Sequence, residues 1–257
     1  MLGEGQFSQV YDVVGIHLLS SSTSKDNATA AAAAADLAPG EQEARKSLQL
    51  HVKEGKTHRY AIKQPKRELL KLPHDFGKAI ADLVVEALYL SRLGDHPNIL
   101  SLHATALGGH TKAFDSGRFD AYFLVTDRLD KTLDHQIEEW QREGPPDPAR
   151  IPRKTNYALQ IANALLYLHK RRIIFRDLKP ENVGLKELNG HTTIQLFDFG
   201  LCRELPQGFD NEMYAMSGSG SQWYMAVEIF LTGTYEWMCG VDVGGVCMSF
   251  CFYLWME

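Results

Sequence analysis

Two short polar segments, each preceded by apolar residues, constrain this chain more than any other feature. The first is Phe-Arg-Asp-Leu-Lys-Pro-Glu-Asn at 175–182, after the apolar pair at 173–174. The second is Asp-Phe-Gly at 198–200, after the apolar-rich stretch at 194–197. A carboxylate at the end of a buried strand is costly unless a cation accompanies it. The two segments together predict one polar site, which contains Asp177, Lys179, Asn182 and Asp198.

The residue types in these segments suit phosphoryl transfer. That reaction needs a clamped nucleotide, a held magnesium ion and a positioned acceptor hydroxyl, and it asks for little covalent chemistry from the protein. Asp177 can accept the proton of the hydroxyl, and Lys179 can neutralise the phosphoryl group. Asn182 and Asp198 offer the oxygen ligands that magnesium prefers. Taken singly, each residue could be an ordinary polar residue of a turn, but together they predict a catalytic site.

Candidate phosphate-binding residues lie near the start of the chain. Gly3 and Gly5, between two predicted strands, could fold main-chain amides over phosphates, although any glycine-containing hairpin would look similar. Lys63 ends the stretch Tyr-Ala-Ile-Lys and could pair with α- and β-phosphates, or could be a solvated lysine at a strand edge. Glu86 could hold Lys63 as an ion pair. Glu68 is the alternative, but it lies outside the periodic helix, so Glu86 is preferred.

The hydrophobic pattern predicts strands early in the chain and helices later. Predicted strands cover 1–14 (two strands and a glycine turn), 60–63, 99–107 and 121–126. Predicted helices cover 75–93, 133–143, 152–170, 227–231 and 242–256, with a short helix as one interpretation of 41–53. Strands followed by helices favour an α+β fold, with a small β-rich lobe and a helical lobe.

We expect one domain over residues 1–257. Its β-rich lobe covers about 1–127, a hinge covers about 127–131, and a partial helical lobe covers about 132–257. Residues 19–40 are of low complexity, with a Ser/Thr run and six consecutive alanines, and nothing in them forces a packed structure. We therefore interpret about 15–57 as a flexible insertion.

Composition excludes several classes of protein. The net charge of −5 does not suggest a nucleic-acid or membrane-surface partner. The four cysteines lack disulfide-framework or zinc spacing, which favours a reducing, cytoplasmic setting. No N-terminal signal peptide is visible. The uncharged stretch 243–256 is shorter than the roughly 20 residues of a membrane span, so a buried helix is preferred over a membrane segment or misassigned sequence.

The motifs occur in an order that resembles the eukaryotic protein kinases of Ser/Thr type: glycine turn, strand lysine, helix glutamate, catalytic loop, Asp-Phe-Gly, and Ala-Val-Glu at 226–228. The resemblance implies a two-lobed fold, ATP and Mg²⁺ as cofactors, and a protein substrate with Ser or Thr acceptors. It implies Asp177 as the base, Asn182 and Asp198 at the metal, and a Lys63–Glu86 ion pair. Its nucleotide pocket maps onto Leu2, Gly3, Gly5, Val10, Ala61, Lys63, Thr126, Asp127 and Leu129.

In the resemblance, Thr126 is the gatekeeper, and the main chain of 127–129 reads adenine. Lys179, two residues after the catalytic aspartate, is typical of Ser/Thr kinases. Ser221 falls at the activation-segment Thr/Ser position, and the pattern at 220–228 is most similar to the tyrosine-kinase-like group. Arg176 is typical of kinases switched by activation-loop phosphorylation. The candidate sites in this loop are Tyr214, Ser217 and Ser219.

The chain also departs from the family pattern. Phe175 replaces a histidine and should keep the contact with Phe199, while Gly184 replaces a bulky residue of the adenine floor and either weakens binding or is filled by a neighbour. We expect the chain to be truncated at both ends, with 244–248 as a spurious insertion. The alternatives to an active kinase are a pseudokinase-like scaffold and an inactive fragment that lacks the later helices.

Overall fold

A computed structural model describes residues 1–5, 7–13, 60–105, 122–144, 147–205, 213–215, 221, 224 and 234–236. The predicted insertion at about 15–57, the short helix at 41–53 and the helices at 227–231 and 242–256 lie outside the described residues. The contacts of the chain divide it into two units. The first comprises Met1–Pro73 and Leu102–Arg128, and the second comprises His74–Ser101 and Leu129–Glu257.

The first unit is built on an antiparallel five-stranded sheet with the order β1-β2-β3-β5-β4. A short 3₁₀ helix, Arg67–Lys71, follows β3. The strands are β1 (Gly3–Glu4), β2 (Ser8–Asp12), β3 (Tyr60–Pro65), β4 (Leu102–Thr105) and β5 (Leu124–Asp127).

The core of the first unit is formed by apolar residues of the central strands and the 3₁₀ helix. Tyr60, Ala61 and Leu124 are buried there, together with Leu69 and Tyr122. Within β3 and β5, buried and partly exposed positions do not alternate strictly.

Helix α1 (Pro73–Leu93) lies in the second unit apart from its first residue, and it confirms the helix predicted for 75–93. Proline suits the first helical position because its missing N–H has no partner there in any case. The helix is followed by Gly94, whose φ of +63° is the left-handed conformation common after a helix. One face is buried, and its members recur at helical spacing: Ala79, Leu83, Glu86, Ala87, Leu90 and Leu93.

The segment after α1 is bonded into the second unit through Asn98. Its side-chain amide donates to Gln160 Oε1 and to the Ile194 carbonyl, both at 2.9 Å. The Asn98 carbonyl accepts from Leu196 N at 2.9 Å, and Leu100 N donates to the Leu196 carbonyl at 3.0 Å. The strand expected at 99–107 therefore begins only at Leu102, because the residues before it bond elsewhere.

Among the described residues, the second unit also contains two further α-helices and three small sheets. Helix α2 is Leu133–Glu143 and helix α3 is Ile151–His169, within one residue of the predicted bounds. The strands are β6 (Lys131–Thr132), β7 (Ile173–Ile174), β8 (Val183–Leu188), β9 (His191–Leu196), β10 (Arg203–Glu204), β11 (Met213–Ala215) and β12 (Thr234–Glu236). They pair antiparallel as β6-β8-β9, β10-β7 and β11-β12.

The core of the second unit lies where α2 and α3 meet the β8–β9 hairpin. Trp140 stacks on Tyr157 with 6.1 Å between ring centroids, and Lys154 Nζ lies 5.1 Å from the Trp140 ring centre. The α+β fold class predicted from the sequence is confirmed. None of the helices formed by the described residues combines the length and hydropathy that a membrane span requires.

Candidate active site

The loop at 175–182, called the catalytic loop after the resemblance described above, has an unusual backbone conformation at Arg176. Its φ is +70°, a region that residues with side chains seldom adopt and that often marks functional sites. The Arg176 guanidinium is largely buried, and its Nε donates to the Leu201 carbonyl at 2.6 Å. This bond ties the start of the loop to the segment just after Asp198.

The Asp177 carboxylate is held from three sides. Its Oδ1 accepts from Ser221 N at 2.8 Å, and its Oδ2 accepts from Asn182 Nδ2 at 2.9 Å. Lys179 Nζ lies 3.1 Å from the same Oδ2 and donates to Ser221 Oγ at 2.8 Å. The Asp177 side chain is only 10% exposed. Four residues from the catalytic loop and the activation segment thus form one bonded cluster.

Asn182 is oriented so that its oxygen is available. The amide nitrogen donates to the Asp177 carbonyl at 2.8 Å as well as to the carboxylate, so Oδ1 is the atom that can face a cation. The Asn182 carbonyl accepts from Phe197 N at 3.2 Å, which brings the residue before Asp198 to the loop. Asp198 is half-buried with φ and ψ both 66°. An amide and a carboxylate oxygen are a donor set that fits magnesium.

Phe175 packs against Phe199 as predicted. The ring centroids lie 5.2 Å apart at an interplanar angle of 82°, an edge-to-face arrangement that aromatic rings favour. Both side chains are fully buried. The expectation that another aromatic residue preserves this contact is confirmed.

Gly184 is covered by the side chain of Leu129. A Cβ at Gly184 would lie 2.2 Å from Leu129 Cδ1 and 2.9 Å from Leu129 Cγ, closer than real atoms approach. Of the two outcomes expected for this glycine, the structure shows that a neighbour fills the gap. Nothing in the sequence pattern indicated that this neighbour would be Leu129.

Lys63 and Glu86 lie on regular elements, one in each unit. Lys63 is in β3, with Val10 and Leu124 as its partners on either side. Glu86 is in α1 and is only 2% exposed, a burial that carboxylates seldom show unless they are paired. Its competitor Glu68 is exposed in the 3₁₀ helix. The ion pair between Lys63 and Glu86 stays a prediction.

Helix α1 also contacts the Asp-Phe-Gly segment within the second unit. A Cβ at Gly200 would lie 3.3 Å from Asp82 Cβ, so a side chain at this position would crowd the helix. Asp82 is one helical turn before Glu86. The glycine of the motif therefore permits the close approach of the two segments.

Sheet register brings the predicted nucleotide residues of the first unit into two rows. One row runs from Gly3 to Val10 to Lys63, and the other joins Ala61 to Thr126. The Gly5 amide donates to the Ser8 carbonyl at 2.9 Å and closes the glycine turn. The Leu2 amide donates to the Val10 carbonyl at 2.7 Å, while the Leu2 side chain is 41% exposed.

Asp127 has side-chain partners that the sequence pattern did not indicate. Its carboxylate is 5% exposed and lies 2.8 Å from His103 Nε2, and the Tyr60 ring meets the His103 ring edge-on at 4.9 Å. Burial, followed by the negative charge of Asp127, raises the pKa of the Tyr60 hydroxyl. The hydrophobic pattern predicted a strand at 99–107 but did not indicate this contact.

The remaining activation-segment candidates are described only in part. Tyr214 lies in β11 opposite Tyr235 of β12. Ser217, Ser219, the triplet at 226–228 and the irregularity at 244–248 lie outside the described residues. Their roles stay predictions.

Comparison with protein-family models matches residues 46–248 to the protein kinase domain. The match covers well over half of the chain, and the chain belongs to this family. The matched stretch contains Lys63, Glu86, the catalytic loop and Asp198, and it begins after the glycine turn. The resemblance read from the motif order is therefore confirmed.

In the individual relatives, the region similar to this chain is only a part of the whole protein. Calcium-dependent protein kinase 4 of Plasmodium falciparum (isolate 3D7) is 29% identical over 191 residues, 72% of this chain and 31% of that protein. Human serine/threonine-protein kinase Sgk2 is 40% identical over 92 residues, 34% of this chain and 23% of the relative. The alpha subunit of inhibitor of nuclear factor kappa-B kinase from Xenopus tropicalis is 40% identical over 81 residues, 32% and 10% of the two chains.

The chain spans about a third or less of the length of these curated relatives. All three relatives are named as kinases or as a kinase subunit, and they support a protein kinase domain of the eukaryotic type. Assignment to the tyrosine-kinase-like group stays a prediction.

Proposed function

We propose that this chain is the catalytic domain of an ATP-dependent protein kinase that transfers the γ-phosphoryl group to a serine or threonine hydroxyl. The observation that carries the proposal is the bonded cluster around Asp177, with Asn182, Lys179 and Ser221 as its partners. A carboxylate held in this way needs no reorganisation before it accepts a proton.

In this proposal Asp177 takes the proton of the acceptor hydroxyl while the hydroxyl oxygen attacks the γ-phosphorus. The bond between the γ-phosphorus and the oxygen that bridges it to the β-phosphate breaks, and ADP leaves with that oxygen. Lys179 balances the negative charge of the phosphoryl oxygens, and its ammonium group already adjoins Asp177 at 3.1 Å. Asn182, through Oδ1, and Asp198 are the residues that would hold Mg²⁺. When bound, this ion neutralises charge on the phosphate oxygens.

The nucleotide is assigned to residues of the first unit together with Leu129. Lys63 pairs with the α- and β-phosphates and Glu86 holds Lys63 in place. Leu2, Gly3, Gly5, Val10, Ala61, Thr126 and Asp127 surround the nucleotide. The antiparallel register supports this assignment, because it brings Gly3, Val10 and Lys63 into one row. The cysteine spacing and the use of ATP favour an intracellular, cytoplasmic setting.

The Ser/Thr preference rests on two observations. Lys179 lies two residues after Asp177, as in Ser/Thr kinases, and it contacts Ser221 of the activation segment. A relative with 40% identity over 92 residues is named as a serine/threonine-protein kinase. The partner is accordingly a protein with a serine or threonine acceptor.

The proposal predicts a large loss of transfer in Asp177→Asn. Removing a general base lowers the rate by about 10²–10⁴-fold, and the amide of asparagine cannot take the proton. Phosphate incorporation from Mg-ATP into the chain itself and into a Ser/Thr peptide library measures the effect. The matched control is Asp147→Asn, because Asp147 is exposed and only caps a 3₁₀ helix through Ala149 N.

Equal incorporation by wild type and Asp177→Asn would show that the cluster is not catalytic. A thermal-shift measurement with Mg-ATP separates the two alternatives. A pseudokinase-like scaffold gains melting temperature without transfer, whereas an inactive fragment gains none.

A further inference from the structure

The Asp127 carboxylate is buried at the end of β5, where a charge needs a specific partner. It is 5% exposed, and His103 Nε2 lies 2.8 Å from its Oδ1. Hydrogen bonds to ionised groups are shorter and stronger than those between neutral groups. His103 itself is 22% exposed, so the pair is shielded from water mainly on the carboxylate side.

An irregularity of the sheet directs His103 at Asp127. Leu102 pairs with Thr126 and Ala104 pairs with Val125, so His103 is the extra residue of a β-bulge in β4. A bulge turns one side chain away from the regular alternation, and bulges are over-represented beside active sites. Tyr60, the β3 partner of Asp127, supports the histidine ring with its edge-to-face contact.

The main chain of Asp127 is constrained from the other side. Its carbonyl accepts from Thr126 Oγ1 at 3.2 Å, and a carbonyl oxygen can accept a second hydrogen bond. The chain passes from the first unit to the second just beyond, between Arg128 and Leu129. Side chain and carbonyl of Asp127 are thus both held before the chain leaves the sheet.

We propose that His103 is a positioning residue of the nucleotide site, which fixes Asp127 so that its main-chain carbonyl accepts a hydrogen bond from the 6-amino group of adenine. This inference rests on the proposed function, since it takes the main chain at 127–129 as the segment that reads the base. His103 acts through Asp127 and does not itself contact the nucleotide.

The test measures dissociation constants by calorimetry on the full chain, for ATP and for purine riboside triphosphate, which lacks the 6-amino group. His103→Ala should weaken ATP binding by about three- to tenfold, the range of one net hydrogen bond, and leave the purine analogue unaffected. His103→Gln provides an N–H donor of similar reach and should restore ATP binding. His74→Ala, which removes a side chain that is 94% exposed, is the matched control.

A general structural defect would weaken both nucleotides equally, and that result overturns the inference, as does unchanged ATP binding. If His103→Ala does not fold, His103→Leu keeps the side-chain bulk and removes the donor. The same weakening of ATP binding, with unchanged binding of the purine analogue, is then expected of His103→Leu. If the variants change ATP binding as predicted but the wild type transfers no phosphate, only the proposed function is overturned. Wild type that binds no ATP overturns both.

Discussion

The contacts at Phe175 and at Gly184 both involve a residue that departs from the family pattern, and they compensate for the change differently. Phe175 replaces a histidine in place, and its ring still meets Phe199 at 5.2 Å. Gly184 has lost its side chain, and the space is filled by Leu129 from another part of the chain.

The difference lies in where the missing interaction is supplied. At 175 the substitution keeps an aromatic ring, so the compensation is visible in the residue itself. At 184 the space left by the absent side chain is filled by a residue that is far away in the sequence. Protein interiors are close-packed, so either route restores contact only if the neighbours fit. Substitutions that remove or add side-chain volume can test this comparison directly.

The largest expected effect is at the ring pair. Phe175→Ala should lower the free energy of unfolding by about 3–5 kcal/mol, because it removes a fully buried aromatic side chain and leaves a cavity beside Phe199. Urea unfolding of the full chain measures the change. Phe175→Leu keeps most of the side-chain volume but loses the contact between the two rings. It should therefore lower the free energy of unfolding by roughly 0.5–1.5 kcal/mol, with only a small further loss from packing. A Leu variant as unstable as the Ala variant would contradict this account.

The second effect is the reverse change at Gly184. Gly184→Ala should destabilise by about 1–3 kcal/mol, because the new methyl group overlaps the Leu129 side chain. The same substitution in a Leu129→Ala background should cost little, since the space is then open. A double-mutant cycle by urea unfolding gives the coupling. Additive effects would mean that Leu129 does not fill the position.

The smallest effect is expected at a glycine where an added methyl group would contact nothing. Gly77 is exposed in α1, and a Cβ there would meet nothing within 4 Å. Gly77→Ala should therefore stabilise by about 0.5–1 kcal/mol through helix propensity. If glycine-to-alanine substitution stabilises the protein at 77 and destabilises it at 184, the loss of stability at 184 is due to the overlap with Leu129. A loss at 77 as well would assign both to the removal of glycine.

Much of the fold could be predicted because its helices are periodic. The bounds of α1, α2 and α3 fall close to the predicted ones, since their buried faces recur at helical spacing. The strand at 99–107 was less accurate, because the Asn98 side chain binds the preceding residues to Gln160 and the Ile194 carbonyl. Such a side-chain bond over a long sequence separation has no periodic signal.

The candidate site shows the same division. The types of Asp177, Lys179 and Asn182 and their close spacing already indicated a shared site, because a short loop keeps them near one another. The contact of Asp177 with Ser221 N joins segments that are distant along the chain. His103 was missed because a β-bulge, not the strand alternation, aims it at Asp127.

The sequence by itself determined the family and the kind of chemistry for which its ordered motifs are suited, since both depend on residue type and local spacing. It also determined that an aromatic ring at 175 could meet Phe199. Only the tertiary structure decided that Leu129 covers Gly184 and that His103 holds Asp127. Both contacts arise from packing and hydrogen bonding between remote segments, where shape and position, rather than residue type, select the partner.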